Sequence, residues 1–190
     1  MRSAVLLAGV DDALSANASD ATVPLREAAA AVEPVVDEVV VACRDGHRAA
    51  VADALGDVTH RLAVDPGANE GPVASMRTGV RVANGDAVAV VAGDVPTVDA
   101  SLLGALFDAC DAAAVPRSDG RLHPLHAVYE ADAARVACDR TLASGSGRLY
   151  DVLSRLDPVV VDADAPDVDA HPLTVGSHAD LATASDRLGT

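Results

Sequence analysis

Short apolar runs alternate with stretches of helical periodicity along the whole chain. The run Ala87–Ala92 (AVAVVA) is apolar at every position, and Glu38–Cys43 (EVVVAC) is nearly so. Strands that face solvent on one side alternate apolar and polar residues, whereas strands covered on both faces are continuously apolar. Such strands separated by helices predict an α/β fold: a Rossmann-like three-layer domain with a mostly parallel sheet between helices.

The same patterning predicts the individual elements. The predicted strands are Ser3–Ala8, Glu38–Cys43, Arg61–Val64, Ala87–Ala92, Arg121–Tyr129 and Pro158–Asp162. The predicted helices are Pro24–Val32, His47–Leu55, Gly71–Ala83, Asp99–Ala112, Ala131–Ala143, Gly147–Leu156 and Ser177–Leu188. Proline is tolerated in the first turn of a helix. We therefore predict that Pro24 opens the helix Pro24–Val32 and that Pro72 lies in the first turn of the helix Gly71–Ala83. Asp99 and Ser177 are the predicted N-caps of their helices.

Length and composition limit the class of protein. No repeat and no linker divides the 190 residues, so we expect a single domain spanning 1–190. Half of the residues are hydrophobic and only three are aromatic, so the core must consist of Val, Leu and Ala. The mean hydropathy of +0.23 argues against disorder. No apolar run approaches ~18 residues, which argues against a membrane span, and no secretory cleavage pattern follows the first strand. We therefore expect a cytoplasmic protein.

The charge is strongly negative. The formal net charge is −15, and all 14 basic residues are arginine. A nucleic-acid-binding surface needs a basic stripe, and the sequence has none. An acidic, lysine-free chain is typical of a halophilic protein, because concentrated salt screens the repulsion between carboxylates. Codon usage in a GC-rich genome favours the same composition, so the charge does not identify the function.

Cysteine and histidine positions predict no metal centre. Cys43, Cys110 and Cys138 are odd in number and far apart, so neither a disulfide framework nor a structural zinc site is expected. We interpret them as small core residues. His123 and His126 are three positions apart on a predicted strand, where side chains alternate between the two faces, so a shared metal is not expected.

Candidate chemistry lies where predicted strands end. Ligands of open parallel sheets bind beyond the carboxyl ends of the strands. Gly9 follows the first strand, Asp65 ends the third and precedes the helix start at Gly71, and Asp94 follows Ala87–Ala92. A glycine allows backbone N–H groups to approach a nucleotide, and an aspartate suits a divalent cation that bridges phosphates. The alternative is structural: Asp94 caps a turn and Gly9 relieves a bend.

The order and spacing of these segments resemble the molybdenum cofactor guanylyltransferase family. The resemblance is carried by AVLLAG (4–9), VDEVVVACRD (36–45), the strand end at Asp65, EGPVASMRTGV (70–80), VVAGDVPTVDASLL (90–103) and GRLHPLHAVY (120–129). It implies a nucleotide-diphospho-sugar transferase-like fold and the transfer of GMP from GTP to molybdopterin, with release of pyrophosphate.

The resemblance also implies roles for particular residues. Leu7, Ala8 and Gly9 would cradle the guanine nucleotide, together with the helix start at Gly71. Asp65 would contact the nucleotide, and Asp94 would bind Mg²⁺ as the catalytic carboxylate. The implied partners are a guanine nucleotide and a molybdopterin-type acceptor, with His123 and Tyr129 predicted on the acceptor side. Neither nucleic acid nor a membrane is expected as a partner, and the sequence predicts no oligomeric state.

The glycine-rich signature of the family is altered here. The family has a second glycine followed by an arginine and a lysine, whereas residues 10–17 read VDDALSAN and contain no basic residue. Arg26, Arg77 and Arg81 are candidates to replace those charges, although Arg77 and Arg81 at i,i+4 also fit a solvated helix face. Two alternatives therefore stand beside the guanylyltransferase: an inactive homologue that acts as a binding or assembly partner, and an enzyme of the same fold with another acceptor.

Overall fold

The computed structural model describes residues 1–8, 18–65, 71–93 and 99–163, and for residues 18–24 only the helical backbone is described. The strands are β1 (Arg2–Leu7), β2 (Glu38–Arg44), β3 (Arg61–Asp65), β4 (Ala87–Ala92), β5 (Ala113–Ser118), β6 (Arg121–Leu122), β7 (His126–Glu130) and β8 (Val159–Asp162). The helices are α1 (Ala18–Val32), α2 (Arg48–Leu55), α3 (Gly71–Val82), α4 (Ala100–Ala109), α5 (Ala131–Ala143) and α6 (Leu149–Leu153), with 3₁₀ turns at Glu33–Val35 and Asp45–His47.

All described strands join one mostly parallel sheet. Its order is β3-β2-β1-β4-β7-β5-β6, and β8 pairs with β5 on a separate branch. Strands β1 to β4 are mutually parallel, while β7 is antiparallel to both β4 and β5. We call the edge at which β1 to β4 end the carboxyl edge, and the opposite edge the amino edge. This α/β architecture agrees with the predicted fold class.

The sheet separates two hydrophobic layers. Residues of β1 alternate between them, with Leu6 in one layer and Val5 and Leu7 in the other. Helices α1, α2 and α4 pack on the first face, and α3, α5 and α6 pack on the second. Coverage of both faces explains why β1, β2 and β4 are apolar without alternation.

A hydrogen-bonded network closes the amino edge. The Ser3 hydroxyl donates to Glu38 Oε1 at 2.7 Å and accepts the backbone N–H of Gly85 at 2.9 Å. Glu38 also accepts hydrogen bonds from Asn84 and Arg61. These donors lower the pKa of the Glu38 carboxyl, although burial acts in the opposite direction. The network ties β1 to β2 and to the segment that precedes β4.

Four predicted elements have wrong bounds, and one of them, the helix predicted over Gly147–Leu156, spans only Leu149–Leu153. The predicted helix Asp99–Ala112 ends at Ala109, and the following alanine-rich segment forms β5. Alanine favours helices intrinsically, but here burial against β7 and β8 decides the conformation. The helix predicted to open at Pro24 begins six residues earlier, at Ala18. The predicted strand Arg121–Tyr129 is interrupted by a turn, in which the His126 N–H donates to the His123 carbonyl.

Two further findings complete the description. The side chain of Asp99 caps α4 as predicted, because it accepts the backbone N–H groups of Ser101 and Leu102. Among the described helices, none is both long and apolar enough to cross a bilayer. The predicted closing helix Ser177–Leu188 lies outside the described residues.

Candidate functional site

The carboxyl ends of β1 and β4 meet at the centre of the sheet. The chain runs from β1 through β2 to β3 on one side, and β4 then pairs with β1 on the other side. The backbone N–H of Gly93 donates to the carbonyl of Leu7 at 2.9 Å, and the N–H of Ala8 donates to Ala42 at 2.9 Å. A reversal of strand order of this kind opens a crevice in which α/β proteins bind ligands. The sheet therefore places Leu7 and Ala8 at the strand ends where α/β proteins of this topology bind ligands.

Asp65 and the start of α3 form a second group at the same edge. The Ser75 hydroxyl, in the second turn of α3, donates to Asp65 Oδ2 at 2.6 Å. Both side chains are partly buried. Gly71 begins α3 with φ +71°, a left-handed conformation that glycine adopts without strain. The predicted residues Asp65 and Gly71 thus lie at opposite ends of the 66–70 connection, which is bridged by Ser75.

Gly9 and Asp94 lie outside the described residues. Their chain neighbours Ala8 and Gly93 directly follow β1 and β4, which are adjacent strands. Within the described ranges there is no group of three or more His, Cys, Asp or Glu side chains that could hold a metal ion. The roles predicted for Gly9 and Asp94 therefore remain predictions from the sequence.

Arg44 is a residue at this edge that sequence reasoning missed. It ends β2 and is the register partner of Asp65 on β3. Paired residues of neighbouring strands project to the same face of a sheet, and Ala42 and Ala63, two positions earlier, both contact the α3 layer. Arg44 is half-buried there. Its position directly after the apolar run EVVVAC was the available signal.

The three arginines considered as replacements for the missing arginine and lysine lie against other parts of the protein: Arg77 and Arg81 against α5, and Arg26 against the end of α2. Arg77 Nε contacts Asp139 Oδ1 at 3.0 Å, and Arg81 Nη2 contacts both oxygens of Asp139 at 3.1 Å. These contacts tie α3 to α5, so the face is not simply solvated. Arg26 is exposed and lies close to Gly56, which follows α2 near the amino edge. Its Nη1 is 3.8 Å from the point that a Cβ would occupy if Gly56 were replaced by alanine.

The predicted acceptor-side residues divide into two cases. His123 is half-buried in the turn that precedes β7, beside the end of β4, where the Ala92 N–H donates to Leu125 at 3.2 Å. Its role stays a prediction. Tyr129 does not line the edge, because it is fully buried in the α3 and α5 layer. Its hydroxyl donates to the Pro124 carbonyl at 2.8 Å and so holds the turn in place.

Replacing Tyr129 with phenylalanine is expected to lower the free energy of unfolding by about 1–2 kcal/mol, because the Pro124 carbonyl loses its buried donor. Burial raises the pKa of Tyr129, so its hydroxyl stays protonated and keeps donating at neutral pH. Urea unfolding would measure the loss. A loss below about 0.3 kcal/mol would contradict the role of the hydroxyl in the turn.

Two of the three cysteines are core residues, and none has the lowered pKa of a nucleophile. Cys43 and Cys138 are buried, and Cys110 is partly exposed. Burial raises the pKa of all three thiols, for Cys138 to about 12. A thiol with a raised pKa contains little thiolate at neutral pH, and the thiolate is the reactive form.

Comparison with known proteins places these features in a family. A family model described as "MobA-like NTP transferase domain" matches residues 18–159, so the match begins directly after the altered segment at 10–17. A probable molybdenum cofactor guanylyltransferase of Natronomonas pharaonis is 39% identical over 148 residues, which are 76% of this chain and 73% of the relative. The relative of the same description from Haloferax mediterranei is 34% identical over 178 residues, which are 90% of this chain and 84% of the relative.

Solved structures share the fold at lower identity. A nucleotidyl transferase from Methanothermobacter superimposes with a TM-score of 0.70 at 22% identity, over 98% of this chain and 97% of that one. The molybdopterin-guanine dinucleotide biosynthesis protein A of Archaeoglobus fulgidus gives a TM-score of 0.65 at 22% identity, over 85% and 83% of the two chains. These neighbours have nucleotidyltransferase folds, in agreement with the predicted architecture.

Proposed function

The chain belongs to the MobA-like NTP transferase family, and on that premise we propose that it transfers GMP from GTP to a molybdopterin-type acceptor. In this reaction a phosphate oxygen of the acceptor attacks the α-phosphorus of GTP. The bond between the α-phosphorus and the bridging oxygen breaks, and pyrophosphate leaves with the electron pair. Relatives described as probable guanylyltransferases, similar to this chain over most of its length, support the proposal.

The observation that carries the proposal is the spacing of two groups along the carboxyl edge. Asp65 ends β3, and Leu7 ends β1, two strands away in the sheet. Neighbouring strands are about 4.8 Å apart, and Asp65 lies two register positions beyond Leu7 along the strand direction, so the two strand ends are about 12 Å apart. That separation suits a nucleotide with its nucleoside at one group and its phosphates at the other.

Charge favours one orientation of the nucleotide. A carboxylate accepts hydrogen bonds from ribose hydroxyls and base N–H groups, but it repels phosphates. The nucleoside therefore lies beside Asp65 and the start of α3 at Gly71. The triphosphate lies toward Leu7, Ala8 and Gly9, where backbone N–H groups can approach it, and toward Asp94.

Magnesium fits this arrangement through its ligand chemistry. Mg²⁺ is usually held by one or two carboxylates together with water and substrate phosphates. Asp94 would supply the carboxylate, because it follows Gly93, whose backbone is joined to Leu7 beside the crevice. The ion would neutralise charge on the phosphates. The acidic residues at 11 and 12 make that neutralisation necessary.

Arg44 is our candidate for part of the missing positive charge. Its strand lies between β1 and β3, so Arg44 ends its strand between the proposed nucleoside and phosphate positions. Arginine suits this task because its planar fork binds phosphate oxygens in pairs.

The proposal is tested by turnover in molar KCl with Mg²⁺, GTP and isolated molybdopterin, measuring pyrophosphate and the guanylylated product. We expect both products only when all components are present, and an Arg44→Ala variant should be about 100-fold slower. Arg140→Ala removes an exposed charge from α5 and should leave the rate unchanged.

Each other outcome identifies a different function. If GTP binds but no product forms, the chain is the inactive binding partner. If pyrophosphate appears only with a different phosphorylated acceptor, the acceptor assignment is wrong. If neither Mg²⁺ nor GTP binds to the folded protein, the proposed function fails altogether.

A further inference from the structure

We propose that Ser75 is a positioning residue: its hydroxyl orients the carboxylate of Asp65 toward the nucleoside of the bound nucleotide. This inference rests on the proposed function and adds to it a residue that does not itself touch the substrate. It starts from the 2.6 Å hydrogen bond between Ser75 Oγ and Asp65 Oδ2.

The direction of this hydrogen bond is the first argument. A serine inside a helix commonly donates to the carbonyl one turn earlier. Ser75 donates instead out of α3 to the end of β3, ten positions earlier in the chain. The bond therefore joins the helix to the strand end across the carboxyl edge.

The second argument is the freedom that the bond removes. Asp65 is the last residue of β3, and its side chain is only partly buried, so packing alone does not restrict its rotation. A donor on a rigid helix selects one orientation. An ionised carboxylate has about four acceptor positions, so Asp65 can accept from Ser75 and from a nucleoside at the same time.

A similar serine–carboxylate pair at the opposite edge provides a control. Ser3 donates to Glu38 Oε1 at 2.7 Å, so the sheet contains a serine–carboxylate bond at each edge. Ser3 is fully buried and also accepts the Gly85 N–H, so its loss should cost more stability than the loss of the Ser75 hydroxyl. The Ser3 pair is far from the carboxyl edge, which makes it the control for a purely structural effect.

The experiment is calorimetric titration of four folded proteins with Mg²⁺ and GTP in molar KCl: wild type, Ser75→Ala, Ser75→Thr and Ser3→Ala. We expect Ser75→Ala to weaken binding about tenfold, as is typical when the partner of a ligand-binding side chain is removed. Ser75→Thr keeps the hydroxyl and should remain within about threefold of wild type. Ser3→Ala should bind GTP as tightly as the wild type does, although its melting temperature should fall further than that of Ser75→Ala. Where turnover is measured, Ser75→Ala should raise KM for GTP and leave kcat within about threefold.

The outcomes separate this inference from the function on which it rests. Equal binding by wild type and Ser75→Ala would overturn the inference alone. So would equal weakening by Ser75→Ala and Ser3→Ala, or equal weakening by the alanine and threonine variants. Absence of nucleotide binding by the wild type would overturn the proposed function first, and the role of Ser75 with it.

Discussion

Replacing Asp94 with asparagine is expected to lower kcat for guanylyl transfer by about 10³-fold while the protein stays folded. Asparagine has nearly the same size but no negative charge, so it is a poor substitute for a carboxylate that binds Mg²⁺ beside phosphates. The measurement is kcat at saturating GTP over a series of Mg²⁺ concentrations. Partial recovery at high Mg²⁺ is expected, because weaker binding of the ion is offset by its concentration.

The matched control for this variant is Asp53→Asn. Asp53 is exposed on α2, and its replacement changes the net charge by the same single unit. It should leave kcat unchanged, which separates a local effect of Asp94 from a change in the overall field. If the Asp94 variant kept more than a tenth of the wild-type kcat, Asp94 would not be the catalytic carboxylate.

Replacing Gly93 with alanine is expected to cost both stability and nucleotide binding. A Cβ at this position would lie 2.8 Å from Leu25 Cδ1 and 3.0 Å from the Leu7 carbonyl oxygen. The leucine side chain can rotate, but the carbonyl belongs to β1 and already accepts the Gly93 N–H. Overpacking of this kind costs about 2 kcal/mol, which for 190 residues corresponds to a fall of about 4–8 °C in melting temperature. GTP should bind at least tenfold more weakly, because β1 and β4 must separate at the crevice.

Gly104→Ala is the control for the glycine substitution. Gly104 lies within α4, and a Cβ there would meet no atom within 4 Å. Alanine favours a helix over glycine by about 1 kcal/mol, so this variant should be slightly more stable and bind GTP normally. If the two alanine variants had the same melting temperature and the same affinity for GTP, the close approach of Gly93 to Leu7 would contribute to neither stability nor binding.

The central sheet could be predicted because its strands are buried on both sides. β4 and α5 have the predicted bounds, the predicted strands at β2 and β3 end one residue early, and the predicted strand at β1 is shifted by one residue. Continuous apolar runs leave little doubt about burial, and the strand ends then follow from the turn residues. Because the carboxyl ends of parallel strands share one edge, the sequence alone assigns Leu7, Asp65 and Gly71 to that edge.

The second half of the chain was harder to predict for a physical reason. The segment after α4 is rich in alanine, which suits a helix as well as a buried strand, and only its pairing with β7 and β8 makes it β5. Pairing between strands that are distant in the sequence leaves no local pattern from which it could be predicted. The positions of Arg44 and Ser75 were likewise unpredictable as partners of Asp65, because one depends on strand register and the other on how α3 lies against β3.

The most direct test of the central claim is a crystal structure of the protein with Mg²⁺ and a non-hydrolysable GTP analogue. The account predicts the nucleotide beyond the ends of β1 and β4, with its nucleoside within hydrogen-bonding distance of Asp65 and its phosphates beside Leu7 and Ala8. A nucleotide bound in the reverse orientation, or on a different face of the protein, would contradict it.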